Sequence, residues 1–95
     1  MKYELNLEEK SFIVWQLRIL YPTLNYDDLE KLYYIWKYPK LKDYQSKWIE
    51  NNLTKTYNSA NGLVNRFVER GVLVIEEVNK KKIRKLPQAV INCIQ

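Results

Sequence analysis

The chain has 95 residues, of which 46% are hydrophobic, and it contains only two Gly and three Pro. This composition excludes a disordered chain and is typical of one folded domain, which we expect to span residues 1–95. No run of about 18 apolar residues occurs, and the first ten residues lack the apolar core of a signal peptide. We therefore expect a cytoplasmic protein without a membrane span.

The chain has few groups that could perform catalysis. It contains no His and one Cys, so neither a zinc site nor a nucleophile paired with a His can be built. No Gly-rich phosphate loop is present either. We expect no enzyme, no catalytic residue, no metal, no cofactor and no small-molecule ligand. Cys93 lies in an apolar tail, and we expect it to be a small buried hydrophobic side chain.

The net charge of +5 lies entirely in the second half of the chain. Residues 1–50 hold eight basic and eight acidic side chains, whereas residues 51–95 hold eight basic and three acidic ones. Such an asymmetry is what a surface that contacts phosphate groups requires. The sequence is also rich in Lys, Asn, Ile and Tyr, which an A/T-rich genome would encode, and this is an alternative explanation for its many Asn residues.

The first predicted helix runs from Leu7 to about Tyr21, with Asn6 as its N-cap and Pro22 after its end. Its apolar residues form two lines. A three-helix core can cover one line, so the other requires a second subunit or another part of the same chain, such as the tail. We expect a homodimer that uses this helix. The two lines are Phe12, Trp15 and Ile19, and Ile13, Leu17 and Leu20.

Two more helices are predicted before residue 53. One runs from Tyr26 to Tyr38 and is capped by Asn25, and the next runs from about Leu41 to Asn51 and ends at a left-handed Asn52. Each has an apolar stripe at helical spacing. The expected inward residues are Leu29, Leu32, Tyr33 and Trp36 in the first, and Leu41, Tyr44, Trp48 and Ile49 in the second.

A fourth helix, about residues 57–70, is predicted between a cap at Thr56 or Asn58 and a left-handed Gly71. Its apolar stripe consists of Ala60, Leu63, Val64, Phe67 and Val68.

The opposite face of this helix is rich in Asn, a poor helix former, which indicates a role beyond helix formation. Asn can bind adenine and Arg can bind guanine bidentately in the major groove, and a Gly lets the backbone approach DNA. The alternative is an ordinary solvated face. We expect Asn61→Ala and Arg66→Ala to impair sequence selection and to leave the fold intact, because both residues lie opposite the apolar stripe. The face consists of Asn58, Asn61, Gly62, Asn65, Arg66 and Glu69.

A β-hairpin is predicted after Gly71. Residues 72–78 are typical of a strand, residues 79–82 of a polar turn, and residues 83–86 of a returning strand that Pro87 ends. Three consecutive Lys at its tip favour a wing that contacts DNA, although Lys also protects the edges of sheets. The pattern of residues 88–94 leaves open whether the tail is a helix or a strand.

The segment from Thr54 to Leu73 resembles the recognition helix and first wing strand of winged-helix DNA-binding domains. It is similar in particular to the small winged helix attached to Fic proteins, whose pattern is Ser/Thr-Tyr-x-Ser/Thr-Ala-Asn, four residues, and Arg-Leu/Phe-Val-Glu-x-Gly-Ile/Val-Leu. Asn58 replaces the usual Pro, and Fic catalysis is excluded because its motif begins with a His. The matching residues are Thr56, Tyr57, Ser59, Ala60, Asn61, Arg66, Phe67, Val68, Glu69, Gly71, Val72 and Leu73.

The resemblance implies a mainly α fold with a small β-hairpin, a winged helix-turn-helix of three to four helices plus a wing. The helix-turn-helix would span about residues 41–70 and the wing about residues 72–86. We expect a protein that binds double-stranded DNA, most simply a transcriptional regulator. The alternative is a protein-binding winged helix, an adaptor or inhibitor encoded by a mobile element, with the Tyr- and Trp-rich middle as its anchor.

The expected DNA-binding residues fall into three groups. The first contacts phosphates at the start of the recognition helix, the second reads base edges from its exposed face, and the third meets the backbone or minor groove from the wing. In chain order the residues are Lys55, Thr56, Tyr57, Asn58, Ser59, Asn61, Gly62, Asn65, Arg66, Lys80, Lys81, Lys82 and Arg84.

Overall fold

The computed structural model describes the backbone of residues 2–94 and the side chains of residues 8–94. These residues form five helices and one antiparallel two-stranded hairpin, so the predicted mainly α class with a small hairpin is confirmed. The elements are α1 (Lys2–Leu20), α2 (Tyr26–Lys37), α3 (Leu41–Glu50), α4 (Tyr57–Glu69), β1 (Val74–Val78), β2 (Lys81–Lys85) and α5 (Gln88–Cys93).

Helix α2 lies at the centre of the packing, between α1 and α3, and α3 in turn packs against α4. Trp48 of α3 is fully buried, and its indole N–H donates a hydrogen bond of 3.1 Å to the Lys31 carbonyl of α2. The Tyr44 ring lies 5.2 Å from the Trp48 ring, centroid to centroid. Burial of each large side chain contributes about 1.5–3 kcal/mol, so these aromatic residues are major contributors to the core.

The predicted caps of α2, α3 and α4 are confirmed. Asn25 accepts a hydrogen bond from the Asp28 N–H, and Thr56 accepts one from the Ser59 N–H. Asn52 and Gly71 have positive φ values of 61° and 77° and end α3 and α4. In both cases the residue after the left-handed one bonds back to the last helical turn, which is the Schellman arrangement.

The prediction for the first helix was wrong at its N-terminus. Helix α1 begins at Lys2, so Asn6 lies inside the helix and is not its N-cap. The residues before Asn6 include neither Pro nor Gly, so nothing in the local sequence stops the helix there. Of the two apolar lines, Ile13 and Leu17 are buried, but Leu20, predicted to share their line, is exposed.

The hairpin is shorter at its start and tighter at its turn than predicted. Strand β1 begins at Val74, because the N–H groups of Val72 and Leu73 bond to the Phe67 carbonyl and complete the end of α4. The turn contains only Asn79 and Lys80, both with positive φ, which is the geometry of a two-residue type I′ hairpin. The adjacent lysines, predicted to lie in the turn, belong to β2.

The tail is the helix α5, and the prediction that Cys93 is buried was wrong. Ile94 is buried in the core and Val90 and Ile91 pack against it, whereas Cys93 is exposed. Residues 90, 91 and 94 share one face of a helical turn, and residue 93 falls beside that face. Among the described residues, none of the helices has both the length and the apolar character needed to cross a membrane.

Candidate functional site

The buried apolar stripe of α4 fixes the orientation of this helix about its own axis. Ala60, Val64 and Phe67 are buried, and Leu63 and Val68 are half-buried against the core. Because these residues share one side of the helix, the opposite side faces outward along its whole length. The exposed residues of that side are Asn58, Asn61, Gly62, Asn65, Arg66 and Glu69.

The side chain of Asn61 is held in place by a hydrogen bond from a residue of α3. The side-chain amide nitrogen of Gln45 donates a hydrogen bond of 2.7 Å to Asn61 Oδ1. Gln45 is 2% exposed, so this bond satisfies a buried amide donor that water cannot reach. Sequence analysis missed Gln45, although a Gln one residue after the inward-facing Tyr44 and three before the inward-facing Trp48 is a usable signal for a buried polar residue.

Side chains of α4 and of the hairpin meet at one cleft of about 290 Å³. Asn61 and Asn65 line it from α4, and Arg84 lines it from β2. The hairpin is held there in part by Tyr44, whose hydroxyl lies 3.5 Å from the Arg84 carbonyl oxygen. Burial raises the pKa of the Tyr44 phenol, so it remains a neutral donor. The structure therefore brings Arg84 of the hairpin together with two predicted site residues of a different element, Asn61 and Asn65.

The basic residues of β2 lie on alternate faces of the hairpin. In the observed register Arg84 pairs with Ile75, and Lys82 pairs with Glu77, so Lys82 and Arg84 share one face. That face is the one that carries Arg84 to the cleft with Asn61 and Asn65. Lys81 lies on the other face, together with Ile83 and Lys85. The predicted lysine cluster is therefore divided, with Lys80 at the turn.

A second cleft, of about 380 Å³, adds a basic residue that sequence analysis missed. Lys40 lines this cleft from the start of α3, opposite Lys81, Lys82 and Arg84 of β2. Lys40 occupies the N-cap position of α3, where its ammonium group, which has no acceptor, cannot cap the helix N–H groups. The sequence signal that could have indicated Lys40 was its position between Pro39 and the predicted third helix.

Arg66 lies on the other flank of α4, away from the hairpin. It lines a cleft of about 220 Å³ with Arg70 and with Asn25 and Asp28 from the start of α2. Asn61 and Arg66 thus project from opposite sides of the exposed face, and Asn65 lies between them around the helix. The face is wide enough to present polar groups in two directions.

The start of α4 combines a helix N-terminus with exposed polar side chains. Lys55 and Tyr57 are exposed on either side of the cap. The Thr56 and Ser59 hydroxyls are joined by a hydrogen bond of 3.1 Å, and Thr56 also caps the helix, so both are held in place. The free N–H groups and the positive end of the helix dipole favour an anion at this point.

Gly62 lies in the middle of the exposed face. A Cβ atom built at this position would meet no atom within 4 Å, so packing inside the protein does not require a Gly here. Gly in a helix costs about 0.5–1 kcal/mol relative to Ala. The missing side chain leaves the backbone open to whatever approaches this face.

The aromatic residues of α2 and α3 contribute mainly to the core and not to the surface. Tyr33, Tyr34, Tyr44 and Trp48 are buried, Trp36 and Tyr38 are half-buried, and Tyr26 at the start of α2 is exposed. The anchors that a protein-binding role of the middle of the chain would need are therefore largely unavailable.

Within the described part of the chain, no three acidic or Cys side chains are grouped so that they could hold a metal ion. Comparison with protein-family models, with curated proteins and with solved structures gives no significant match to this chain. A function must therefore be argued from the side chains of α4 and the hairpin.

Proposed function

We propose that this protein is a winged helix-turn-helix protein that binds double-stranded DNA and regulates transcription. The observation that carries the proposal is the cleft at which Asn61 and Asn65 of α4 meet Arg84 of β2. Amide and guanidinium groups are the side chains that read base edges in the major groove. They converge here from a helix and a hairpin, the two elements with which a winged helix contacts DNA.

In the proposed complex α3 and α4 are the helix-turn-helix, and the exposed face of α4 enters the major groove. Asn61, Asn65 and Arg66 read base edges, with Asn58 beside them, and Gly62 allows the helix to approach closely. These groups would set sequence preference, because contacts with base edges carry sequence information and contacts with phosphates do not.

Phosphate contacts are supplied by the surroundings of that face. Lys55, Thr56 and Tyr57 meet one backbone at the N-terminus of α4, where Ser59 completes the hydroxyl pair. The wing residues Lys80, Lys81, Lys82 and Arg84, with Lys40 opposite them, meet the other backbone or the minor groove. The excess positive charge of residues 51–95 supports this arrangement.

The test is selection of binding sites from random double-stranded DNA, followed by affinity measurements over a salt series. We expect enrichment of a defined sequence and a log affinity that falls steeply and linearly with log salt concentration. Asn65→Ala is the matched variant, because this exposed residue contributes nothing to the core, and it should weaken the selected site more than random DNA. If no DNA binds at low salt, the proposal is overturned in favour of a protein-binding winged helix.

A further inference from the structure

Helix α1 carries an apolar stripe that the domain does not cover. Phe12, Trp15 and Ile19 are 53%, 61% and 62% exposed, whereas Ile13 and Leu17 on the opposite side are 2% and 0% exposed. Residues 12, 15 and 19 have the i, i+3, i+7 spacing of one helical face. Contiguous exposed side chains of this size mark an interaction surface more often than single scattered ones do.

The described part of the chain offers no segment that could cover the stripe. The tail was one candidate, but Ile94 is buried in the core and Val90 and Ile91 pack on it. The hairpin lines clefts with α2, α3, α4 and α5 side chains, and none of these clefts includes a residue of α1. Residues 2–7 continue α1 itself and cannot fold back onto it.

The ends of the stripe carry opposite charges. Glu8 lies in line with the stripe one turn before Phe12, and Arg18 lies beside Ile19. Both are exposed, and neither forms an ion pair with another described residue. They are ten positions apart, about 15 Å along the helix axis. A stripe with one charge of each sign at its two ends is complementary to a reversed copy of itself.

We propose that a second copy of this chain covers the stripe, with the two α1 helices antiparallel across a two-fold axis that crosses the exposed face at the level of residue 13, midway between Glu8 and Arg18. Glu8 of each protomer then lies against Arg18 of its partner, twice in the dimer, and the Phe12 and Trp15 side chains of both protomers fill the centre. A parallel pair would instead place like charges together at both ends. Complementary charges of this kind set the register of an interface.

The size of the stripe sets the expected strength of the dimer. Aromatic side chains bury about 150–250 Å² each, so the exposed parts of Phe12 and Trp15, together with that of Ile19, amount to roughly 350 Å² per protomer. With the flanking residues, two such surfaces approach the lower limit of specific interfaces, about 1,200 Å² in total. A dimer that dissociates in the micromolar range is therefore expected.

The dimer does not rest on the proposed DNA binding, and the two can fail separately. The stripe shares no residue with the clefts that contain Asn61, Asn65, Arg66 or Lys82. Association through α1 therefore leaves those side chains free. If both proposals hold, the two-fold axis relates two copies of α4, and the selected DNA site should be palindromic.

The test is sedimentation equilibrium of the protein without DNA between about 1 and 100 µM, a range chosen around the affinity of small interfaces. We expect the mass to rise from 11.6 kDa towards twice that value. Trp15→Ser and Ile19→Ser should each shift the transition to at least tenfold higher concentration. Both side chains are exposed, so circular dichroism should show that the variants remain folded. A parent that stays monomeric throughout, or a dimer that Trp15→Ser and Ile19→Ser leave unchanged, overturns the proposal.

Charge reversal tests the antiparallel register. Glu8→Arg and Arg18→Glu should each weaken the dimer, because each places like charges together at both ends, and the double variant should restore it. Glu77→Arg and Arg70→Glu are matched reversals of exposed residues outside the stripe and should have little effect. Single reversals without effect, or a double variant as weak as the singles, would contradict the antiparallel pairing.

Discussion

The buried side chain of Gln45 holds the exposed side chain of Asn61 through a hydrogen bond of 2.7 Å between two helices. This bond joins the core of α3 to the outward face of α4. It fixes Asn61 before any ligand arrives, which reduces the entropy lost when a ligand is bound. It also gives Asn61 a structural contact that the sequence did not predict.

We predict that Asn61→Ala lowers the free energy of unfolding by about 1–3 kcal/mol, because it leaves the buried Gln45 amide without an acceptor. The double variant Gln45→Leu/Asn61→Ala should recover most of that loss, since both polar partners are then removed. Chemical denaturation of the two single variants and the double variant measures the coupling. Asn65→Ala is the control and should leave stability nearly unchanged. Equal stability of the parent and Asn61→Ala would show that the hydrogen bond contributes nothing.

Gly62→Ala should change stability and DNA binding in opposite directions. The new Cβ meets no neighbouring atom, so the helix should gain about 0.5–1 kcal/mol of stability. The same methyl group would stand between the α4 backbone and DNA, and affinity for the selected site should fall. Thermal unfolding and a binding titration are the measurements. A variant that is more stable and binds as tightly as the parent would show that nothing approaches the backbone at this position.

The alternation of β2 predicts unequal roles for two adjacent lysines. Lys82 shares a face with Arg84, so Lys82→Ala should reduce the slope of log affinity against log salt concentration by about 0.9, the value for one lost phosphate contact. Lys81→Ala is the comparison within the same wing, and its slope should change less than that of Lys82→Ala because Lys81 lies on the other face of β2. Preference for the selected sequence should be unchanged in both. If Lys81→Ala reduced the slope more than Lys82→Ala, the face of the hairpin that contacts DNA would be the one with Lys81, and not the one with Lys82 and Arg84.

Acid should weaken the contact between α1 and α2. Glu9 accepts hydrogen bonds from the Lys37 ammonium group and from the Tyr33 hydroxyl, the latter at 2.9 Å. The bond from Lys37 lowers the pKa of Glu9 below its ordinary value of 4.5, against the opposing effect of burial, and Tyr33 lowers it further. A carboxyl with a lowered pKa in the folded state stabilises the fold above about pH 5 and loses that contribution as the pH falls through its folded pKa.

Glu9→Gln should therefore melt at a lower temperature than the parent at pH 7 but at a similar temperature near pH 3. Melting curves from pH 7 to pH 3 at one protein concentration are the measurement. Glu77→Gln serves as the control, because Glu77 is an exposed hairpin residue, and its curve should follow that of the parent. A constant difference between Glu9→Gln and the parent at every pH would exclude the carboxylate as the cause.

Local signals in the sequence were sufficient for most of the secondary structure. The caps at Asn25 and Thr56 and the left-handed residues Asn52 and Gly71 were predicted correctly, because each depends on one side chain and its neighbouring backbone. The outward orientation of Asn61 and Asn65 followed from the helical period in the same way. The start of α1 was not predicted, since a good cap at Asn6 does not stop a helix when the residues before it can also be helical.

Contacts between distant residues required the tertiary structure. The bond from Gln45 to Asn61 depends on how α3 crosses α4, and no periodicity within either helix contains that crossing. The same is true of Lys40 opposite β2, and of the two lysines on opposite faces of the hairpin, because a two-residue turn set the register. Cys93 is exposed because Ile94, and not Cys93, packs into the core. Sequence determined which faces each element has, and packing between elements decided which of those faces meet.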